Sequence, residues 1–443
     1  MLHAIKKSIP STWLDVYHKW LSGLAAFAYG YPSRKLTVIG VTGTNGKTTT
    51  AYLIAKALEV GEAKTGCATT AIFKVAEREW LNDTKMTMLG RFALQKLLNQ
   101  MVKAGCRYAV IETSSQGIVQ HRHENLAYDV CVFTNLTPEH IEAHGGFENY
   151  KRAKIQLFEF LASLPLKNLD GKPVVRASIL NADDPQAKDF AVAGIDSVVW
   201  YGRGTDAEVK AENVVTTADG SSFEAVIGPM RIAMRTKLPG EVNVYNVLAA
   251  LATVFALGVD VREAARLLGE VAAVPGRFER IERGQDWTAI VDYAPEPESF
   301  KRLYETLRSL PRHRTIHVLG SCGGGRDVAR RPILGKLAAQ LADVVIVTNE
   351  DPYDDDPRQI MEQVASGARE GGKIEGRDLF LVEDRLEAIR LAMRTAQPGD
   401  LVLMTGKGSE QWICVAGGRK LPWDERRAAA QAIDETIAER ASK

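Results

Sequence analysis

The sequence predicts an α/β protein. A parallel sheet flanked by helices is built around a P-loop, carries a small β subdomain, and is followed by a second, Rossmann-like α/β domain. Three observations predict it. From residue 36 onward, apolar β-rich runs alternate with helical patterns. A glycine-rich loop stands between the first strand and the first helix of that series. The alternation then starts afresh after Val274-Pro275-Gly276-Arg277, which reads as a hinge.

Residues 21–31 are apolar and follow Lys6-Lys7, but Asp15, His18 and Lys19 intervene and no cleavage pattern follows. The run is also too short to cross a bilayer, so it reads as an amphipathic helix leading into Pro32. The first strand is 36–41, and Thr42-Gly43-Thr44-Asn45-Gly46-Lys47-Thr48-Thr49-Thr50 opens the helix at 48–58. Glycines there let backbone N–H groups close on phosphate oxygens, and the helix N-terminus adds partial positive charge. Gly43, Thr44, Asn45, Gly46 and Thr49 form the cradle, Lys47 reaches the β/γ-phosphates, and the Thr48 hydroxyl ligates Mg²⁺. The usual motif has glycine where Val41 stands, so this is the shorter Gly-x-x-Gly-Lys-Thr-Thr form, which points to a ligase branch rather than to kinases or GTPases.

Further strands are expected at 108–112, 130–134, 174–180 and 198–201, with helices at 92–104, 150–161 and 184–191. Residues 207–237 lack helical periodicity and read as a β meander, and 245–257 with 261–271 as a helix pair closing the domain. Beyond the hinge, strands fall at 289–293, 315–319, 344–348, 379–382 and 401–404. The expected domains are a helical segment 1–34, an ATP-binding domain 35–273 and a C-terminal domain 274–443, with ligands in the cleft between them.

A chain of 443 residues with 45% hydrophobic and 25% charged residues has room for two or three ordinary globular domains. Its net charge of +1 leaves no whole-chain footprint for nucleic acid or a membrane surface. Cys67, Cys106, Cys131, Cys322 and Cys414 are odd in number and scattered, which reads as reduced core cysteines of a cytoplasmic protein.

Polar residues end the major strands. Glu112-Thr113-Ser114-Ser115 offers a carboxylate suited to Mg²⁺, with a capping cluster as the equal alternative. His140, closing the segment 134–140, by itself reads as a structural histidine.

Taken in order, these segments resemble the Mur ligase family, most closely its MurE branch, which adds the third amino acid of the cell-wall peptide. Matching motifs run from about Tyr17 to Arg426: 40–50, 112–115, Gln120-His121-Arg122, 133–140, 150–154, 181–185, 238–246, 276–279, Asp292-Tyr293-Ala294, 322–332, 406–410 and 422–426. The resemblance implies an ATP-dependent amide ligase that converts a carboxylate to an acyl phosphate and lets an amine displace the phosphate. It implies catalytic roles for Lys47, Glu112, His140 and Lys154, and two Mg²⁺ ions held by Thr48, Glu112, His140 and Lys154, the last carbamylated by CO₂. Without the family, Lys154 is simply a helix-surface lysine. Asn181, Asp184, Asn243 and Asn246 fall where the family binds the adenine end of ATP or orders its loops, while Arg277, Asp292 and Tyr293 reach ATP once the C-terminal domain closes. Ser114, Gln120 and Arg122 lie on the acceptor side, and Arg331, Gly406 and Glu410 match positions that hold the incoming amino acid.

Some positions depart from the pattern. Only about 34 residues precede the first strand, so a MurE-like chain without the uridine-binding N-terminal domain is expected, with a separate protein supplying that function. The family's Ser-Ser-His is Ser114-Ser115-Gln116, its Asp-Tyr-Ala-His is Asp292-Tyr293-Ala294-Pro295, and its Thr-Thr-Pro is Thr87-Met88-Leu89. The diaminopimelate-type Asp-Asn-Pro-Arg is Glu350-Asp351-Pro352-Tyr353. That change removes a cation, while acidic Glu350, Asp351 and Asp354-Asp355-Asp356 would favour a side-chain amine on the amino acid bound there. Lysine or ornithine as the added amino acid, or a solvated acidic loop, are the two readings. The acceptor is a muramyl-peptide-like carboxylate, with no nucleic acid or membrane partner and a monomeric state expected. The alternatives are a Mur-like ligase on a non-nucleotide acceptor, of folylpolyglutamate or cyanophycin type, and a nucleotide-binding partner without turnover.

Overall fold

The computed structural model describes residues 11–138, 144–325 and 328–442. Helix α1 (Ser11–Ala28) leads into β1 (Thr37–Thr42), the phosphate loop and α2 (Lys47–Ala57). The central sheet continues with β2 (Thr65–Ala68), β3 (Ile72–Val75), β4 (Arg78–Leu81), α3 (Arg91–Lys103), β5 (Tyr108–Glu112), α4 (Ser115–Val119), β6 (Tyr128–Phe133) and α5 (Phe147–Ser163). It is completed by β7 (Ala177–Asn181), β8 (Ser197–Gly202), β9 (Val209–Thr217), β10 (Gly220–Ile227) and β11 (Met230–Thr236). Its eleven strands run in the order β11-β10-β9-β8-β7-β6-β1-β5-β2-β3-β4. Every residue of β1, β5 and β6 is buried, as expected for parallel strands covered by helices on both faces.

Helices α6 (Glu241–Ala256) and α7 (Val261–Glu270) close this unit. The second sheet has six strands: β12 (Glu279–Arg280), β13 (Thr288–Val291), β14 (Thr315–Leu319), β15 (Val344–Thr348), β16 (Leu379–Val382) and β17 (Leu401–Met404), in the order β12-β13-β17-β14-β15-β16. Helices α8 (Pro297–Leu307), α9 (Arg330–Leu341), α10 (Pro357–Glu370), α11 (Arg385–Thr395) and α12 (Glu425–Ala441) pack on it, and a hairpin, β18 (Trp412–Val415) and β19 (Arg419–Pro422), stands apart.

The expected β meander is present as β9–β11 and extends the central sheet, since β9 pairs in parallel with β8 at Tyr201↔Val209. Two other expectations change. The helix expected at 184–191 is one 3₁₀ turn at Ala187–Phe190. There the Asp184 carboxylate accepts from the Gln186 N–H at 2.9 Å and the Leu136 N–H at 2.8 Å, and this side-chain turn competes with helix. Strands β2, β3 and β4 at the far edge were not expected. They are short, and Lys74 pairs there with Glu59 and Glu79 instead of adding to an apolar run.

Candidate active site

Parallel register assembles the site. Val41 in β1 lies opposite Glu112 in β5, and Thr42 opposite Phe133 in β6, so the loops after all three strands open at one edge of the sheet. That edge is where α/β sheets bind ligands. Thr48, at the start of α2, donates its hydroxyl to Glu112 Oε2 at 2.9 Å. The Thr70 N–H and hydroxyl donate to the same oxygen at 2.7 and 3.0 Å. Three donors therefore hold one oxygen of a carboxylate that is 2% exposed, and among the described residues no hydrogen bond reaches Oε1. A buried carboxylate fixed by one oxygen beside a phosphate loop fits a Mg²⁺ ion. Capping does not account for Glu112, because Ser114 caps α4, accepting from the Gly117 N–H at 3.1 Å.

The loop is braced from several sides. Lys47 Nζ donates to the Thr44 carbonyl at 2.6 Å, and the Asn45 N–H donates to Asn135 Oδ1 at 2.9 Å. Asn181 Nδ2 ties the Thr134 carbonyl at 2.7 Å, and Thr134 Oγ1 donates to the Asn45 carbonyl at 2.7 Å. Asn243 and Asn246 are buried in the otherwise apolar α6, where each polar atom needs a partner. Thr50 Oγ1 donates to Asn246 Oδ1 at 3.0 Å, Asn246 Nδ2 donates to Asn243 Oδ1 at 3.0 Å, and Asn243 Nδ2 reaches the Pro239 carbonyl at 2.7 Å. Gly46 (φ +80°) is obligatory, since a Cβ there would stand 2.6 Å from Asn246 Oδ1.

Lys154 is not a helix-surface lysine. It is 1% exposed, lies over the Tyr150 ring at 4.4 Å, and donates to the Gly43 carbonyl at 2.6 Å. Tyr150, Ala153, Lys154, Leu157, Phe158 and Leu161 are the buried face of α5, so the helix period drives this ammonium inward. His140 lies outside the described residues. His144, which sequence reasoning passed over, places Nε2 3.1 Å from Ser115 Oγ, and burial with the nearby Lys154 charge lowers its pKa.

The second lobe closes on this loop. Arg277 stacks on Tyr293 at 4.4 Å and donates Nη2 to Thr48 Oγ1 at 3.4 Å, while Ser299 Oγ donates to Asn45 Oδ1 at 3.4 Å. Asp292 is held by the Phe278 and Ala294 N–H groups at 2.7 and 2.8 Å, and burial raises its pKa. A cleft of about 170 Å³ between the lobes is lined by Asn45, Asn243, Asn246, Arg277, Asp292 and Tyr293. A second cleft, of about 630 Å³ and sharing Asn246, continues past Asn181 and Asp184.

The amino-acid side is more crowded than its sequence implies. Glu350 and Asp351 are 4% and 3% exposed, so the solvated-loop expectation fails for them. Lys407, fully buried, sits 3.0 Å from Asp351 and 2.7 Å from Glu410, and Lys85 from the central unit contacts both acids. Asp354 accepts from the Gly417 N–H, Asp355 from the Gly324 N–H, and Asp356 caps α10. Gly406 packs so tightly that a Cβ would lie 2.2 Å from Glu350 Oε2. Arg331 donates to the Cys322 carbonyl at 3.0 Å and Gln363 at 2.6 Å. Lys85, Lys407 and Thr70 were passed over by sequence reasoning. Only Lys407, between glycines inside the 406–410 motif, carried a local signal.

A phosphate loop with a locked carboxylate, reached across a cleft by an arginine of a second α/β lobe, defines a P-loop enzyme working on nucleotide phosphates. Comparison with known proteins gives the particular kind. Residues 41–254 match the Mur ligase middle domain and 276–408 the Mur ligase glutamate ligase domain. A UDP-N-acetylmuramyl-tripeptide synthetase of Roseiflexus sp. (strain RS-1) is 41% identical over 424 residues, 94% of this chain and 82% of that protein. A UDP-N-acetylmuramoyl-L-alanyl-D-glutamate–2,6-diaminopimelate ligase of Geobacillus kaustophilus (strain HTA426) is 38% identical over 415 residues, 93% of this chain and 82% of that protein. A solved structure of a ligase with the same description superposes with a TM-score of 0.62 at 27% identity, covering 97% of this chain and 84% of that one. Folylpolyglutamate synthase of Mycobacterium tuberculosis, at 18% identity and TM-score 0.66 over 90% of this chain and 96% of that one, shares the fold alone. The chain belongs to the Mur ligase family, and it is an ATP-dependent ligase of the MurE type. Among the described residues, no helix is long and apolar enough to cross a membrane.

Proposed function

We propose that this ligase joins an amino acid to the peptide carboxylate of a muramyl-peptide acceptor during cell-wall precursor synthesis, acting in the cytoplasm as a monomer. The observation that carries the proposal is the convergence on Thr48, whose hydroxyl meets Glu112 from the central sheet and Arg277 from the second lobe. The working units are the segment 1–34, the ATP-binding domain 35–273 and the amino-acid-binding domain 274–443.

Gly43, Thr44, Asn45, Gly46, Lys47, Thr48 and Thr49 cradle the triphosphate of ATP, and Asn181, Asp184, Asn243 and Asn246 order the cleft toward its adenine end. Thr48 and Glu112 would hold one Mg²⁺, and His140 with a carbamylated Lys154 a second. Bound cations screen the repulsion between carboxylate and phosphate. The acceptor carboxylate oxygen attacks the γ-phosphorus as its bond to ADP breaks, giving an acyl phosphate. The amine nitrogen then attacks the acyl carbon, the bond to phosphate breaks, and one amine proton is lost. Arg277, Asp292 and Tyr293 complete the ATP site when the lobes close, which keeps water from the acyl phosphate.

Ser114, Gln120 and Arg122 face the acceptor. Arg331, with Gly406 and Glu410, receives the amino acid's carboxylate and amine. Lysine, ornithine and diaminopimelate are the candidates, and because Lys85 and Lys407 already pair with Asp351, a cationic side chain there would displace one of them. The test is ADP release with UDP-N-acetylmuramoyl-L-alanyl-D-glutamate or its nucleotide-free counterpart, each with the three amino acids. Release that needs both acceptor and amino acid, with the amide found by mass, is expected. ATP binding without release for every pair would refute the proposal.

A further inference from the structure

A cluster of four charges joins the two lobes beside the amino-acid residues. Asp351, after β15, and Glu410, after β17, share two ammonium groups: Lys407 of their own lobe and Lys85 of the central unit. Lys85 Nζ contacts Asp351 Oδ2 and lies 2.9 Å from Glu410 Oε2. A local turn aims it there. Asn82 Oδ1 accepts from the Thr84 N–H and hydroxyl at 2.9 and 2.7 Å, and Asn82 Nδ2 donates to the Thr69 and Met86 carbonyls at 2.7 and 3.0 Å. Inside that turn Lys85 takes φ +58°, a left-handed conformation uncommon outside glycine. The Trp412 indole donates to the Asp83 carbonyl at 2.6 Å, so one turn meets the second lobe twice.

The charges balance, two carboxylates against two ammonium groups. Burial would raise the Asp351 pKa, but Lys407 and Lys85 outweigh it and hold the carboxyl below its usual range. Burial is likewise outweighed at Lys85 by Glu410 and Asp351, which keep it protonated. A third cation entering this site without a departure would leave one buried charge unpaired, which is costly. The two lysines are not equally free to leave. Lys407 is fully buried, and its ammonium meets both Asp351 oxygens at 3.1 and 3.0 Å, Glu410 at 2.7 Å and the Trp412 carbonyl at 2.7 Å. Lys85 keeps 10% of its side chain exposed and comes from the opposite lobe, so opening the cleft withdraws it and leaves Lys407 in place.

We propose that Lys85 is a specificity residue that stands in for the distal ammonium of the incoming amino acid, bridging the lobes through Asp351 and Glu410 until a diamino acid displaces it. Lysine, ornithine and diaminopimelate each carry such a group at the far end of the side chain. One ammonium replaces another on the same two carboxylates, so the exchange conserves charge and no covalent bond changes. Occupancy by Lys85 weakens apparent binding of a diamino acid in proportion to the fraction of protein from which Lys85 is withdrawn. An apolar side chain gains nothing from the departure, because it would leave two acids with Lys407 alone. That the ligand is the amino acid to be joined rests on the ligase proposal above; the exchange at the two acids does not.

The test measures calorimetric binding of L-lysine, L-ornithine, diaminopimelate and L-norleucine to wild type, Lys85→Met, Lys85→Gln and Lys85→Arg. A non-hydrolysable ATP analogue and UDP-N-acetylmuramoyl-L-alanyl-D-glutamate are present, and KM for each amino acid in ADP release is measured beside it. Norleucine has the length of lysine without its distal ammonium. Lys85→Met is expected to tighten binding of the best-bound diamino acid about tenfold and to lower its KM alike, with no gain for norleucine. Lys85→Gln shifts the preference the same way by less, and Lys85→Arg keeps that of wild type. Comparing the two kinds of amino acid cancels any general effect on lobe closure. Equal change for both, no change for either, weaker binding of the diamino acid, or failure of every diamino acid to bind overturns the inference. If no protein releases ADP yet Lys85→Met still binds the diamino acid more tightly, the ligase proposal fails and the exchange stands. ADP release by wild type with an unchanged preference in Lys85→Met leaves the ligase and removes the exchange.

Discussion

Replacing Glu112 by glutamine separates a metal-holding role from a scaffold role at the centre of the site. The amide keeps the shape and an oxygen able to accept from Thr48 and Thr70. Each of the three bonds to Oε2 loses its charge assistance, which is worth about 1 kcal/mol per bond, since charged bonds are roughly twice as strong as neutral ones. The neutral side chain is easier to bury at 2% exposure, which offsets part of that total of about 3 kcal/mol. A net loss of about 1–2 kcal/mol and a fall of a few degrees in melting temperature are expected. Activity should fall far more, by about a hundredfold or beyond, with a higher Mg²⁺ requirement, because the amide offers the cation no charge. The assay is ADP release across a Mg²⁺ titration beside a thermal melt of the same preparation. Wild-type turnover at wild-type Mg²⁺, with only the melt displaced, would show that Glu112 is scaffold alone.

Lys154→Ala should be inactive and regain part of its rate with added short carboxylic acids. Wild-type rates without them would remove the carbamate from the mechanism. Asn246→Leu strands the buried Thr50 hydroxyl and the Asn243 side-chain oxygen, so denaturant unfolding should show a loss of about 2–4 kcal/mol, and ATP should bind more weakly as the Gly46 turn loosens. His123 is buried and its pKa is lowered to about 4, chiefly by desolvation, so the unfolded chain takes up its proton first as pH falls. Its stabilising contribution is intact above about pH 6.5 and lost progressively toward pH 4, about 3 kcal/mol in all. Urea titrations of wild type and His123→Gln across that window should diverge by this amount.

Much of the scaffold was legible locally. The strands at Tyr108–Glu112, Thr315–Leu319, Val344–Thr348 and Leu401–Met404 lie where their apolar runs placed them, because strands buried on both faces read as unbroken hydrophobic segments, and the part-buried edge strand Leu379–Val382 was legible from its apolar run too. The edge strands β3 and β4 were not legible, since each is four residues long and mixes core side chains such as Phe73 and Trp80 with the paired charges Lys74 and Glu79. Lys154 stands between these cases. Apart from the family it read as a helix-surface lysine, whereas in the fold it shares the buried face with Tyr150, Leu157 and Leu161 and finds its partner in the Gly43 carbonyl.

By itself, then, the chain's order of residues determined the phosphate loop, the two alternating α/β units and the family, because each is written in contiguous segments whose chemistry is local. Tertiary structure alone decided that Thr70 joins Thr48 on one oxygen of Glu112, that Lys85 reaches Asp351 from 266 residues away, and that Arg91 reaches the Gln120 carbonyl. Charge balance is a property of neighbours in space. A carboxylate or guanidinium acquires its meaning from groups that only the folded register brings within a few ångströms.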